Sequence, residues 1–309
     1  MSAPDRSGIV YHVDASYFIF RAYHSMPRDL VDPGGRATQA VYGFARFLAD
    51  LIEQERPERI GVAFDLEAGA EASFRTAIYP AYKAHREPPP PDLARQFELC
   101  REFCRCMGIT EFASARYEAD DLIGTMAARA RAAGLRNVLL TKDKDLSQLI
   151  RDGDVFWDLP GRMRYHYHDI EARFGAAPER MADLLALAGD AVDNIPGVPG
   201  VGLKTASCLV AAFGSLDDLY ANLDRVAFLK MRGAAGVAAK LAAHKAGAYL
   251  SRRLTGIVCD APLAERPDDL RPRGPDVPAL RDFLDAQGFG GGLRRQAERI
   301  AQRTDGIYA

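Results

Sequence analysis

The chain has 309 residues, 48% of them hydrophobic and 27% charged, with a formal net charge of −2. That length allows one large or two modest domains and a core that needs no disulfide or metal staple. No segment approaches the roughly 18 uninterrupted apolar residues of a membrane helix, residues 1–6 lack the apolar stretch of a signal peptide, and the five cysteines, three of them at 100, 104 and 106, suit a reducing cytoplasm better than a disulfide framework.

Four short apolar runs, at 8–14, 59–65, 137–143 and 154–157, read as buried parallel strands. Three of them end in an acid. Helical patterns at 38–55, 92–106 and 118–133 lie between them. Alternation of this kind implies an α/β fold with a central, mainly parallel sheet. Right-handed crossovers then put all strand C-termini on one edge, where ligand sites form. Residues 176–265 are Ala- and Leu-rich with scattered glycines, and read as a second, all-α domain. Pro262, Pro267, Pro272, Pro275 and Pro278 mark an extended connector. A short helix at 279–287 follows, and Gly290–Gly292 then break to a mobile charged tail. The predicted division is therefore 1–175, 176–265 and 266–309.

Nine carboxylates stand in short signatures: Asp14, Asp65, Glu118, Asp120, Asp121, Asp143, Asp145, Asp190 and Asp193. Glu118 and Asp121 share a helix face by their spacing. Asp143 and Asp145 point the same way if the chain stays extended. Each pair alone has a plain structural reading as a helix start or a turn. Several acids converging on one sheet edge would repel unless a cation neutralised them. Oxygen donors without His or Cys select Mg²⁺ or Mn²⁺, and this many acids suggest two ions. Setting the nine aside leaves 40 basic against 33 acidic residues, a balance of +7 that would draw a phosphodiester.

In residues 74–91, Arg75, Lys83 and Arg86 interleave with Phe74, Tyr79 and Tyr82 ahead of four prolines. Cations for phosphate and rings for unstacked bases suit a single-strand guide; a solvated helix with a stiff linker is the alternative. Gly197, Gly200 and Gly202 precede Lys204 and Thr205 between two helical stretches. Such a hairpin lets a backbone approach a phosphate beside a helix N-terminus, or is a plain helix–helix turn. It is no P-loop, since Leu203 separates Gly202 from Lys204 and no strand precedes it. The three clustered cysteines read as buried thiols rather than zinc ligands. His166 and His168 read as strand-surface residues, and Trp157 as core.

Taken together, these residues resemble the 5′-nuclease family: the 5′→3′ exonuclease domain of bacterial DNA polymerase I, phage 5′-exonucleases and, more distantly, flap endonucleases. The resemblance runs from about Ile9 to Gly290. It is carried by Ala40-Val41-Tyr42-Gly43-Phe44, Ser73-Phe74-Arg75, Tyr79-Pro80-Ala81-Tyr82-Lys83, Tyr117-Glu118-Ala119-Asp120-Asp121, Asp143-Lys144-Asp145-Leu146 with Gln148-Leu149, and Gly189-Asp190-Ala191-Val192-Asp193-Asn194-Ile195-Pro196-Gly197. It implies a three-layer, PIN-like α/β core with a helix–hairpin–helix-type subdomain and a helical arch at about 70–100.

The resemblance further implies that the nine acids hold two Mg²⁺ ions, with Mn²⁺ as a substitute. Asp14, Asp65, Glu118 and Asp120 would serve one region, and Asp121, Asp143, Asp145, Asp190 and Asp193 the other. Lys83 and Arg86 would act at the scissile phosphate. Arg21, Tyr42, Phe74, Arg75, Tyr79, Tyr82, Gly197, Gly200, Gly202, Lys204 and Thr205 would contact DNA, with K⁺ at the 197–202 hairpin. The expected activity is 5′→3′ exonuclease and flap cleavage of DNA. An RNA-directed relative, a non-catalytic DNA-structure binder and, more weakly, a phosphomonoesterase are the alternatives. Ala15 stands where the family usually has Gly, and Lys142 where a small residue is usual. The chain ends about where a polymerase part would begin, which suggests a stand-alone nuclease with a polymerase or ligase as a separate partner.

Overall fold

The computed structural model describes residues 8–66 and 73–304. The polar start at 1–6, the opening residues of the expected arch at 70–72 and the last residues of the tail at 305–309 lie outside the described residues. In chain order the first elements are β1 (Ile9–Asp14), α1 (Ala15–Ser25), α2 (Gln39–Glu55), β2 (Ile60–Asp65), α3 (Phe74–Ile78), α4 (Pro91–Cys106) and β3 (Thr110–Ser114). Then come α5 (Ala119–Ala132), β4 (Arg136–Leu140), β5 (Val155–Asp158), β6 (Met163–Tyr165), α6 (Tyr167–Phe174), α7 (Met181–Ala188) and α8 (Leu203–Phe213). The last are α9 (Leu216–Ala221), α10 (Ala234–Ala243), α11 (Lys245–Thr255), α12 (Val277–Ala286) and α13 (Gly291–Thr304).

Two compact units emerge, each built from separated stretches. The first comprises 8–66, 88–141 and 259–304; the second comprises 73–87 and 142–258.

In the first unit four strands run parallel in the order β3-β2-β1-β4, with Val13 opposite both Val62 and Leu140, and Asp65 opposite Ser114. The chain leaves central β1 toward β2 and β3, then returns across to β4. That reversal beside β1 is the switch point at which a parallel sheet leaves a crevice outside its strand ends. Val10, Val13, Ile60, Val62, Phe64, Leu139 and Leu140 are buried, as expected of strands covered on both faces. Helix α5 adds Leu122, Ile123, Met126 and Ala130 to this core, each large side chain worth roughly 1.5–3 kcal/mol of burial. The predicted helices at 38–55, 92–106 and 118–133 match α2, α4 and α5 to within a residue or so. Residues 100, 104 and 106 are buried thiols on α4, and burial raises the pKa of each.

The Pro-rich connector is an ordered strap. Arg129 donates to the carbonyls of Leu263 at 2.9 Å and Glu265 at 2.6 Å, and Arg59 pairs with Asp268 at 2.8 Å. The tail expected to be mobile is instead helix α13. Leu293, Ala297, Ile300 and Ala301 are buried, and Gln296 and Arg299 bond Glu53 of α2. The three glycines stand at its start, where they do not interrupt its apolar stripe.

The second unit carries the antiparallel pair β5–β6, Phe156 opposite Tyr165. The run at 154–157 is the longer strand of this pair. His166 and His168, expected on a strand, instead cap and enter α6, both exposed. Trp157 is core, with Arg164 stacked 4.0 Å over its ring. Leu184, Leu187, Leu209, Leu216, Leu219 and Leu241 form the helical core of this unit.

Candidate active site

Five of the nine acids belong to the first unit, at the C-terminal ends of its strands or the start of α5. Asp14 closes β1 and caps α1, accepting from the Tyr17 N–H; Thr141 Oγ1 donates to its Oδ2 at 2.8 Å. Ala15, at the position of the usual Gly, simply begins α1 and is buried. Asp65 closes β2. Ser16 Oγ donates to its Oδ2 at 2.8 Å, and the Ala119 N–H at the start of α5 donates to its Oδ1 at 2.8 Å. Thus two strand-end acids are oriented by hydroxyls and by a helix N-terminus. Asp121, fully buried, accepts the Glu118 N–H at 3.1 Å, while Glu118 and Asp120 are half-buried.

The other four acids belong to the second unit. Asp143 is not at a strand end: β4 stops at Leu140, and Asp143 caps a 3-10 turn at 144–149, accepting the Asp145 N–H at 2.9 Å. The extended geometry expected for this pair gives way because the carboxylate can satisfy the turn's first N–H. Asp190 and Asp193 lie on a tight loop closed by the bridge between Asp190 and Ile195. A Cβ at Gly197, whose φ is +61°, would stand 2.3 Å from Gly189 N, so this loop admits no side chain there. Lys144 Nζ donates to Asp190 Oδ2 at 2.5 Å and sits 3.3 Å from Asp145 Oδ1. That Oδ1 is buried and accepts no hydrogen bond, so the Lys144 contact is an ion pair without hydrogen-bond geometry.

Charge crowding shows in the acidities. Burial, then the Asp143 charge, push Asp145 up to about 7. Burial also raises Asp143. Burial works the same way on Asp190, but the Lys144 hydrogen bond and charge prevail and hold it below the usual range. Burial disfavours the Lys144 ammonium, yet Asp145, Asp190 and Asp143 outweigh it and raise its pKa. Among the described residues no three His, Cys, Asp or Glu side chains converge closely enough to chelate an ion in this arrangement. The buried, donor-poor Asp145 oxygen and the raised pKa values of Asp143 and Asp145 nevertheless fit an all-oxygen site for a hard divalent ion.

The expected phosphate-handling pair is engaged with the acids. Arg86 donates to Asp193 Oδ1 and Lys83 Nζ is 3.8 Å from Asp193 Oδ2, while the Lys83 N–H donates to the Asp193 carbonyl at 3.0 Å. Lys83 itself holds φ +54°, and Asn194 next to Asp193 holds +58°.

Two residues expected at the DNA surface are interior. Arg75 is 3% exposed and donates to the carbonyls of Leu254 at 2.9 Å and Gly256 at 3.0 Å; Tyr82 is 2% exposed with its hydroxyl on Asp193. Phe74 and Tyr79 are half-buried beside them. Arg21 is exposed on α1, and Tyr42, half-buried on α2, packs edge-on to Phe289. Gly202 caps α8, Lys204 is exposed in its first turn and Thr205 is half-buried; Gly197 and Gly200 both have positive φ. Lys142 is exposed. The orienting groups Ser16, Thr141 and Lys144 were not singled out from sequence. Only Lys144, set between two acids, carried a visible signal.

The fold is that of known nuclease structures. It matches a structure of phage T5 5′-exonuclease with zinc ions at TM-score 0.63 and 19% identity, covering 95% of this chain and 98% of that one. It also matches the catalytic core of Rad2 with DNA substrate at TM-score 0.60 and 18% identity, over 96% and 93% of the two chains. Models of the 5′-3′ exonuclease N-terminal resolvase-like domain and of the 5′-3′ exonuclease C-terminal SAM fold match residues 9–175 and 176–278. The chain belongs to the 5′-3′ exonuclease family. It is 38% identical over 265 residues to DNA polymerase I of Mycobacterium bovis and 39% identical over 269 residues to that of Pseudomonas aeruginosa. It is 38% identical over 278 residues to the thermostable DNA polymerase I of Thermus filiformis. These matches cover 84%, 87% and 90% of this chain but only 28%, 29% and 32% of the relatives. The chain therefore spans about a third or less of the curated relatives it matches.

Proposed function

We propose that the chain is a divalent-metal-dependent 5′→3′ exonuclease that also cleaves flaps, with Mg²⁺ as its ion and Mn²⁺ as a substitute. The crowded carboxylates carry this reading, above all Asp145, whose raised pKa and undonated oxygen mark a surplus of negative charge. Asp14, Asp65, Glu118 and Asp120 are assigned to one ion. Asp143, Asp145, Asp190 and Asp193 are assigned to the other; Asp121, expected with them, is assigned instead to orienting Glu118, whose N–H it accepts. Bound ions supply activation of a water nucleophile and neutralisation of the leaving oxygen.

The protein's own part is orientation. Thr141 and Ser16 fix the Asp14 and Asp65 carboxylates. Lys83 and Arg86, now on Asp193, are assigned the charge that develops on the scissile phosphate. The 197–202 hairpin and the first N–H groups of α8 are assigned the duplex backbone, with K⁺ as the hairpin's monovalent ion. The five cysteines suit a cytoplasmic protein, and a separate polymerase or ligase would use the nicks it leaves.

The test is incubation of end-labelled flap, nicked and single-stranded DNA, and of matched RNA, with Mg²⁺, followed by sizing. Metal-dependent removal of 5′ fragments from DNA supports the reading. Cleavage of RNA alone would redirect it, and no cleavage of any substrate would overturn it.

A further inference from the structure

Residues 225–259 contain no Asp or Glu, yet carry Arg225, Lys230, Arg232, Lys240, Lys245, Arg252 and Arg253. An acid-free stretch of that length is unusual in a chain of net charge −2. Part of its charge is satisfied within the second unit. Arg252 pairs with Asp183 at 2.7 Å and Asp217 at 3.0 Å, and Lys245 lies over the Tyr220 ring at 5.3 Å. Arg225, Lys230, Arg232 and Lys240 are exposed and make no ion pair with any described residue. Phe228, on the same loop, is 85% exposed, the most exposed of the large apolar side chains among the described residues.

The arrangement follows from how α10 packs. Ala234, Val237 and Leu241 recur at helical spacing and are buried, and Lys240, on the flank of that stripe, is exposed. Its ammonium reaches the glycine hairpin: Nζ lies 2.3 Å from where a Cβ would stand on Gly200, whose φ is +75°. A side chain at 200 would have to displace that ammonium. An unpaired cation, a hairpin glycine and the first N–H groups of α8 thus belong to one compact unit. Two more free cations precede α10 on the loop that carries the exposed ring.

We propose that α10 and the loop before it form a second phosphate-binding element, in which Lys240 joins the hairpin and Lys230 and Arg232 engage further phosphates of duplex DNA, with Phe228 against deoxyribose. The inference rests on the nuclease reading and extends it to residues outside the glycine hairpin. A polyanion with regularly spaced charges suits a surface that has cations and no acids to repel it.

The experiment is fluorescence anisotropy of the full chain with labelled flap duplex in EDTA, so that binding is read without cleavage, across a salt series. Each phosphate contact removed should flatten the plot of log affinity against log salt by about 0.9. Lys240→Gln should lose about that much slope and bind about 8-fold more weakly at 0.1 M salt, while Lys240→Arg retains the wild-type slope. The pair Lys230→Gln with Arg232→Gln should lose about twice as much. All three side chains are exposed, so unchanged melting temperatures are expected alongside. Slopes and affinities equal to wild type in the glutamine variants would overturn this inference alone. Absence of salt-dependent binding by the wild type would instead overturn the nuclease reading beneath it.

Discussion

Replacing Asp145 with Asn should stabilise the protein in the absence of metal while disabling it. Burial and the Asp143 charge push the Asp145 carboxyl up to about 7 in the folded protein, from an ordinary value of 3.8. An acid with a raised folded pKa destabilises the fold progressively as pH rises from the unfolded to the folded value, and the penalty is then constant above it. With these two values the penalty is about 2 kcal/mol at pH 5 and about 4 kcal/mol at pH 8, as upper bounds. Asparagine keeps the shape and removes the charge. At about 2 °C per kcal/mol for a chain of this size, Asp145→Asn in EDTA should melt up to about 8 °C higher than wild type at pH 8 and up to about 4 °C higher at pH 5. Differential scanning calorimetry at both pH values reads this directly. A variant that melts at or below wild type at pH 8, or gains equally at both pH values, would refute the claim that crowded charge is what strains this cluster.

Two further outcomes follow from the same unit. Lys144→Met removes the ammonium bonded to Asp190 at 2.5 Å, so a divalent ion no longer competes with a resident cation; Mn²⁺ binding by titration calorimetry should tighten by about tenfold or more, and unchanged or weaker binding would contradict the counter-ion role. Arg75→Met strands the Leu254 and Gly256 carbonyls it now satisfies from a buried position, and should cost about 3–5 kcal/mol in urea unfolding; a loss under 1 kcal/mol would mean that the guanidinium is not structural.

Much of this was legible in sequence where one face of an element decides its fate. Strands β1 and β2 are continuous Val- and Ile-rich runs, and α2, α4 and α5 carry apolar stripes with clean ends, so their bounds follow from periodicity. Strand β3 was missed because it is an edge strand with a single buried residue, Phe112, among polar ones. Helix α13 was hidden by its charges, though Leu293, Ala297 and Ile300 keep the helical spacing. The acids were visible as residue types, but the local geometry that holds each of them was not. Asp143 lies three residues beyond its strand because a carboxylate can close a 3-10 turn as readily as it can end a ladder. Arg75 and Tyr82 show the same ambiguity from the other side. A cation or ring beside a basic segment looks like a nucleic-acid contact, and only tertiary structure reveals that it satisfies backbone carbonyls or a carboxylate instead.

Whether these carboxylates hold two divalent ions is decided by electron paramagnetic resonance counting of bound Mn²⁺ on the full chain without DNA. Two ions per chain are expected, with one lost in Asp14→Asn and one in Asp190→Asn. A wild-type chain that retains no Mn²⁺ at millimolar concentration, or variants that each keep both ions, would contradict that expectation.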